Sequence, residues 1–180
     1  MKMEGNMKTL IVVAHPNLSD SKVNSSWIKE LEKYPEEFHI HNLYEVSKKG
    51  IFNVSKEQQL IEAHDKIVLQ FPIYWFNCPP LMKKWLDDVF LDGWAYGDNN
   101  KMKNREVRLI VTAGIRESSY SSSGRYKHTL EEVLLPFEIT FNYMQANYMG
   151  FYAFYSAEHE STDIRIENSR PEMLKFVRSV

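Results

Sequence analysis

Three short loops in this sequence carry residue types suited to holding a small ligand. The first runs His15-Pro16-Asn17-Leu18-Ser19-Asp20-Ser21-Lys22-Val23-Asn24, between a run of buried-type residues and a helical pattern. Free amides and the helix dipole converge at such a place and make it an anion site. Ser21 and Asn24 add hydroxyl and amide donors there, and Lys22 adds a charge. The chain has no Gly-x-x-x-x-Gly-Lys-[Ser/Thr] and no Gly-x-Gly-x-x-Gly, which argues against a nucleoside triphosphate loop and a dinucleotide fingerprint. A hydroxyl-rich loop of this kind suits one terminal phosphate monoester without magnesium, and no metal is assigned. Ser21 and Asn24 are equally the residue types that cap a helix.

The second loop, Pro72-Ile73-Tyr74-Trp75-Phe76, places large rings after an apolar run, Ile67 to Phe71, that is too short for a helix. Rings at the mouth of a strand suit a flat conjugated ligand, and they are also what caps an ordinary core. The third loop, Thr112-Ala113-Gly114-Ile115, follows Val107–Val111, and Gly114 would let backbone amides come close to a ligand. Beyond it lies Tyr120, in the serine run Ser118–Ser123, the most flexible-looking segment. Tyr120 is either an active-site phenol or a solvated loop tyrosine.

The elements that must position these loops alternate. Buried strands are read at Thr9–Ala14, Glu37–Leu43, Ile67–Phe71, Val107–Thr112 and Gln145–Phe154. Helical patterns follow each: through Trp27, Ile28 and Leu31; from a Ser55-x-x-Gln58 capping box to about His64; and from Leu81 through Met82, Trp85, Leu86, Val89 and Phe90, begun by Pro79-Pro80. The fourth spans Tyr126 to about Tyr143 with a kink or break at Pro136, and the last spans Ser169 to Val180, begun by Pro171. Asp92–Arg105 reads as a mobile flap in which Trp94 and Tyr96 face a pocket or a partner. Strand-helix alternation implies an α/β fold with a five-stranded parallel sheet covered on both faces. In the order 2-1-3-4-5, strands one, three and four are neighbours, so the three loops converge at the switch point.

Composition narrows the functional classes. With 22 basic and 24 acidic residues, net −2, there is no electrostatic case for nucleic acid or an anionic membrane surface. The 180 residues fit one domain, with 1–7 read as flexible. The single cysteine, Cys78, excludes a disulfide framework, suits a reducing cytoplasm and reads as structural. No apolar run is long enough to span a bilayer. Aromatic residues concentrate in 71–96 and 137–155, which favours a flat ligand, a subunit interface, or both.

Ala14-His15-Pro16, the Ser21-x-x-Asn24 loop, Phe71-Pro72-x-x-Trp75-Phe76-x-x-Pro79-Pro80-Leu81-x-Lys83-x-Trp85-x-Asp87-x-Val89-Phe90 and Gly93-Trp94-Ala95-Tyr96-Gly97 together resemble the flavodoxin-fold NAD(P)H:quinone oxidoreductases, over roughly residues 8 to 155. That family includes DT-diaphorase, bacterial general-stress flavoproteins and ancillary subunits of glutathione-gated potassium efflux. The resemblance implies a flavodoxin-like three-layer sandwich holding FMN, or alternatively FAD. It implies hydride transfer from NAD(P)H to a quinone-like acceptor in ping-pong order, in a cytoplasmic homodimer that uses the aromatic surfaces near 90–97 and 137–155. By it, His15, Ser21, Lys22, Val23 and Asn24 would hold the phosphate and ribityl chain. Pro72, Ile73, Tyr74, Trp75 and Phe76 would flank the ring, and Thr112, Ala113, Gly114 and Ile115 would reach its pyrimidine end. Tyr120 matches the family's active-site tyrosine. The chain departs from the pattern where Ala113 replaces the first glycine of Thr-Gly-Gly, and where Tyr126 stands at the position of DT-diaphorase's histidine, with His128 two residues on. The alternative reading is a regulatory subunit that associates with a potassium-efflux transporter.

Overall fold

The computed structural model describes residues 8–47 and 49–179; the stretch 1–7 expected to be flexible lies outside them. Five strands, β1 (Thr9–Val13), β2 (Phe38–Asn42), β3 (Lys66–Pro72), β4 (Glu106–Thr112) and β5 (Asn147–Phe154), form one sheet in the order β2-β1-β3-β4-β5. Every neighbouring pair is parallel. The central strands are buried on both sides and mostly apolar, as a sheet covered on both faces requires.

Six helices do the covering: α1 (Lys22–Leu31), α2 (Leu43–Val46), α3 (Val54–Glu62), α4 (Pro80–Val89), α5 (Leu130–Tyr143) and α6 (Asp163–Arg178). Leu10, Val12, Ile67, Leu69, Phe71, Leu109 and Val111 point to the face carrying Ile61, Met82, Trp85, Leu134, Phe137 and Phe141 of α3, α4 and α5. Ile11, Val13, Val68 and Ile110 point the other way, onto Val23, Trp27, Leu31, Ile166, Met173 and Val177 of α1 and α6. The period-2 alternation of each strand thus divides the core into two layers.

Several boundaries differ from the sequence reading, each for a local reason. Asn53, not Ser55, caps α3: its side chain accepts from the Lys56 amide at 3.1 Å. The connector after β2 contains the one-turn helix α2, capped by Asn42, which has too few residues to show a period. α5 begins at Leu130 because Thr129 and Glu132 form a reciprocal capping box. It does not break at Pro136, and α6 is not begun by Pro171: both prolines lie inside their helices on the exposed face, where water can serve the carbonyl each leaves unpaired. α6 starts instead at its Thr162 cap, and Ser169 within it accepts from the Trp27 indole at 2.9 Å.

The Asp92–Arg105 segment is pinned rather than flap-like. Trp94, Ala95 and Met102 are buried, the Trp94 indole donates to Glu62 at 2.7 Å, and Asn100 donates to the Met144 carbonyl at 2.7 Å. Trp94 therefore belongs to the core, edge-on to Phe90, whereas Tyr96 is half-buried against Tyr143. β5 carries one extra residue: Val107 pairs with Tyr148 and Leu109 with Phe151, so Met149 and Gly150 together oppose Arg108, and Gly150 within the bulge has φ +83°.

Cys78 is buried, and desolvation pushes its thiol pKa up to about 11. Native protein is expected to react with a thiol reagent near neutral pH roughly 100-fold more slowly than unfolded chain, because that much less thiolate is present. A timed thiol-labelling assay with and without denaturant checks this.

Candidate functional site

The loops after β1, β3 and β4 meet at the carboxyl end of the sheet, where the strand order reverses between β1 and β3. They enclose a cavity of ≈ 380 Å³, within the range of small-ligand pockets. Its walls include His15, Ser21, Lys22, Val23 and Asn24 from the first loop, Pro72, Ile73 and Tyr74 from the second, and Thr112 and Gly114 from the third. The sheet's register fixes this meeting: Pro72 pairs with Thr112, and the Ile73 amide donates to the Thr112 carbonyl at 2.8 Å.

At the amino end of α1, Ser21 is the cap, its Oγ accepting from the Asn24 amide at 3.3 Å. Capping and site-lining are therefore combined in one residue. The amides of Lys22 and Val23 precede any intrahelical acceptor and lie at the cavity, where the helix dipole favours an anion. His15 Nδ1 accepts from the Asn17 amide at 3.1 Å, so a neutral ring carries its proton on Nε2 as a donor. Burial lowers the His15 pKa, which favours that neutral form. Asn24 is buried, and its amide bonds Ser21 and Thr112, both at 3.1 Å.

The remaining named residues do not reach the cavity wall. Ala113 is fully buried behind it, its amide donating to the Phe154 carbonyl at 2.9 Å, and Ile115 packs against the core. Trp75 and Phe76 form the tip of a tight turn closed by reciprocal Tyr74 and Asn77 backbone bonds of 2.8 and 3.0 Å. Both have positive φ, +46° and +60°, the pattern of a type I′ turn that ordinarily takes Asn-Gly. Trp75 is 94% exposed.

Phe76 leads into an aromatic wall: its ring meets Tyr126 at 4.9 Å, Tyr126 meets Tyr120 at 5.0 Å, and Tyr120 meets Tyr155 at 5.8 Å. Tyr120 is therefore a packed ring rather than a solvated one, following a 3-10 turn at Glu117–Ser119. Burial, then Tyr126 and Glu158, raise its pKa, so the phenol keeps its proton and serves as a hydrogen-bond donor. His128 faces solvent beside Glu132 at 3.4 Å, away from this wall.

The sequence reading missed the loop after β5. Ala157, Glu158 and Ser161, with Asp20 of the first loop, complete the cavity, and the amides of Ala157 and Glu158 donate back to the carbonyls of Ala113 and Gly114. A side chain at Gly114 would bring its Cβ to 2.5 Å from the Glu158 carboxylate. Strand order was the available signal, since β5 beside β4 delivers its polar Ser156–Ser161 turn to the same end.

The family model for the flavodoxin-like fold matches residues 7–177. The NAD(P)H oxidoreductase YrkL of Bacillus subtilis is 38% identical over 96% of this chain and 99% of its own length. KefG of Cronobacter sakazakii, named a glutathione-regulated potassium-efflux ancillary protein, is 33% identical over 88% of this chain and 86% of its own. The structure of general stress protein 14 from Treponema denticola, in complex with FMN, superposes with a TM-score of 0.90 at 42% identity, covering 94% of this chain and 97% of that one. With its 2-1-3-4-5 parallel sheet, its switch-point cavity and these relatives, this chain belongs to the flavodoxin-fold NAD(P)H:quinone oxidoreductase family.

Proposed function

We propose that this chain is an FMN-dependent oxidoreductase that takes hydride from NAD(P)H and delivers two electrons to a quinone-like acceptor in ping-pong order. Family membership carries the oxidoreductase class, the FMN and the NAD(P)H. The quinone acceptor, the alternating order, a cytoplasmic homodimer and the roles of individual residues are our reading. The observation that carries it is the meeting of three loops around one cavity at the amino end of α1.

The residues present fit the cofactor. Ser21, Lys22, the Lys22 and Val23 amides and His15 Nε2–H are donors gathered at one end, as a phosphate monoester requires. Pro72, Ile73, Tyr74, Thr112 and Gly114 line the cavity beside them and would hold the ring. Bound FMN supplies the hydride chemistry, and the protein supplies orientation and electrostatics. Trp75 and Phe76 border the open side, Ala113 and Ile115 support the cavity from behind, and Asn24 holds Ser21 and Thr112 in place. The Tyr120 phenol orients the acceptor by donating a hydrogen bond at the mouth, and its raised pKa keeps that proton in place at neutral pH. One shared open face for donor and acceptor forces them to alternate.

Purified protein is expected to be yellow or to take up FMN one-to-one, and to oxidise NAD(P)H with menadione along parallel double-reciprocal lines. Colourless protein that binds neither FMN nor FAD would overturn the assignment, and intersecting lines would overturn the ping-pong order. The KefG likeness favours a second reading, association with a potassium-efflux transporter. It predicts co-purification with a membrane partner. Among the described residues no helix is long and apolar enough to cross a membrane.

A further inference from the structure

Gln70 lies on β3 beneath the cavity, fully buried, and does not line its wall. Its Nε2 donates to the backbone carbonyl of Asn24 at 3.0 Å and to Asn24 Oδ1 at 3.3 Å. A peptide carbonyl can only accept, so the Gln70 atom facing it must be the NH2 group, and the orientation of this amide is forced. Asn24 must then turn its oxygen toward Gln70 and its own NH2 toward Ser21 Oγ and Thr112 Oγ1, 3.1 Å from each.

Ser21 Oγ also accepts from the Asn24 backbone amide at 3.3 Å. Two donors fill the two lone pairs of that hydroxyl, leaving only its O–H. Thr112 accepts one bond from Asn24 and keeps its second lone pair, and neither hydroxyl donates to any acceptor among the described residues. Gln70 Oε1 has no hydrogen-bond partner among those residues. A methionine would fill the same volume without burying an unpaired acceptor, so packing alone gives no reason for an amide here.

We propose that Gln70 is a positioning residue that sets the hydrogen-bond polarity of the cavity: acting through Asn24, it makes the Ser21 hydroxyl an obligate donor, so the site prefers a phosphate monoester, which brings only acceptors, over its dephosphorylated form. This rests on the flavin reading above. With Gln70 changed to a side chain that cannot donate twice, the Asn24 amide is free to turn over, and Ser21 can then donate inward to it. The cavity would lose its fixed polarity while keeping its shape.

The test is fluorescence titration of apoprotein with FMN and with riboflavin, for wild type, Gln70→Met and Gln70→Glu, with a thermal midpoint for each. Wild type is expected to prefer FMN, and both variants to lose about tenfold or more of that preference. A purely structural role would weaken both flavins together and leave their ratio unchanged. A folded variant whose ratio stays at the wild-type value overturns the relay alone. Wild type that binds riboflavin as tightly as FMN also overturns it, whether or not either variant folds. Wild type that binds neither flavin overturns the functional reading and this inference with it.

Discussion

Glu57→Ala is expected to lower the free energy of unfolding by about 3–5 kcal/mol, a large share of what a domain of this size possesses. The Glu57 carboxylate is buried between β2 and α4, and one oxygen accepts from His41 Nε2 at 2.7 Å and from the Trp85 indole at 2.8 Å. Alanine would leave two buried donors without an acceptor and open a void beside Trp85, which is itself fully buried. Burial alone would raise the Glu57 pKa, but hydrogen bonds from His41 and Trp85 more than offset it and hold the carboxyl below its ordinary range. A carboxyl depressed by folding contributes stability that is complete above its unfolded pKa and is lost as pH falls through its folded one. Denaturant titrations from about pH 7 down to about pH 3 should therefore show a weaker loss with acid for Glu57→Gln than for wild type. Parallel acid limbs would mean that the pair contributes nothing.

Replacing Trp75 by Asn and Phe76 by Gly together is expected to stabilise the fold while removing most of its reactivity. Each residue now holds a left-handed backbone that costs a side chain about 1–2 kcal/mol, and Asn-Gly is the pair this turn type favours. A gain of about 2 kcal/mol should appear as a higher thermal midpoint. If the two rings border the open face of the cavity, as proposed above, losing their stacking should cost about 2 kcal/mol, roughly 30-fold in flavin affinity or in kcat/KM. A double variant that is less stable, or that keeps wild-type turnover with menadione, would contradict this account. Backbone strain held at a functional turn is the physical content of the prediction.

The sequence disclosed the sheet because buried strands of Val, Ile and Leu alternate with helical periods, while the strand order was taken from the flavodoxin-like pattern rather than from any single residue. Of the fourteen residues that the resemblance assigned to the cofactor, ten line the cavity, His15, Ser21, Lys22, Val23, Asn24, Pro72, Ile73, Tyr74, Thr112 and Gly114, in loops that the strand order brings together. What stayed hidden depends on side-chain direction. Trp75 and Phe76 were legible as rings, but their exposure follows from an unusual turn that neither residue type signals. Trp94 read as a pocket or partner-facing ring because its loop is polar, and its burial rests on distant contacts, the bond to Glu62 thirty-two positions away and the packing on Phe90. Pro136 and Pro171 read as helix boundaries, since a proline's effect depends on which face it occupies. The role given to Gln70 was invisible in the same way, as it exists only in the directions of hydrogen bonds.

The bulge in β5 bears on how this chain meets copies of itself. β5 is an outer strand, and an unbroken outer strand offers its free amides and carbonyls to any stranger. Here the extra residue at Met149–Gly150 throws the hydrogen-bonding groups out of step partway along, so an incoming strand could match one stretch or the other but not both. Crowded solutions should therefore resist fibre growth from this flank.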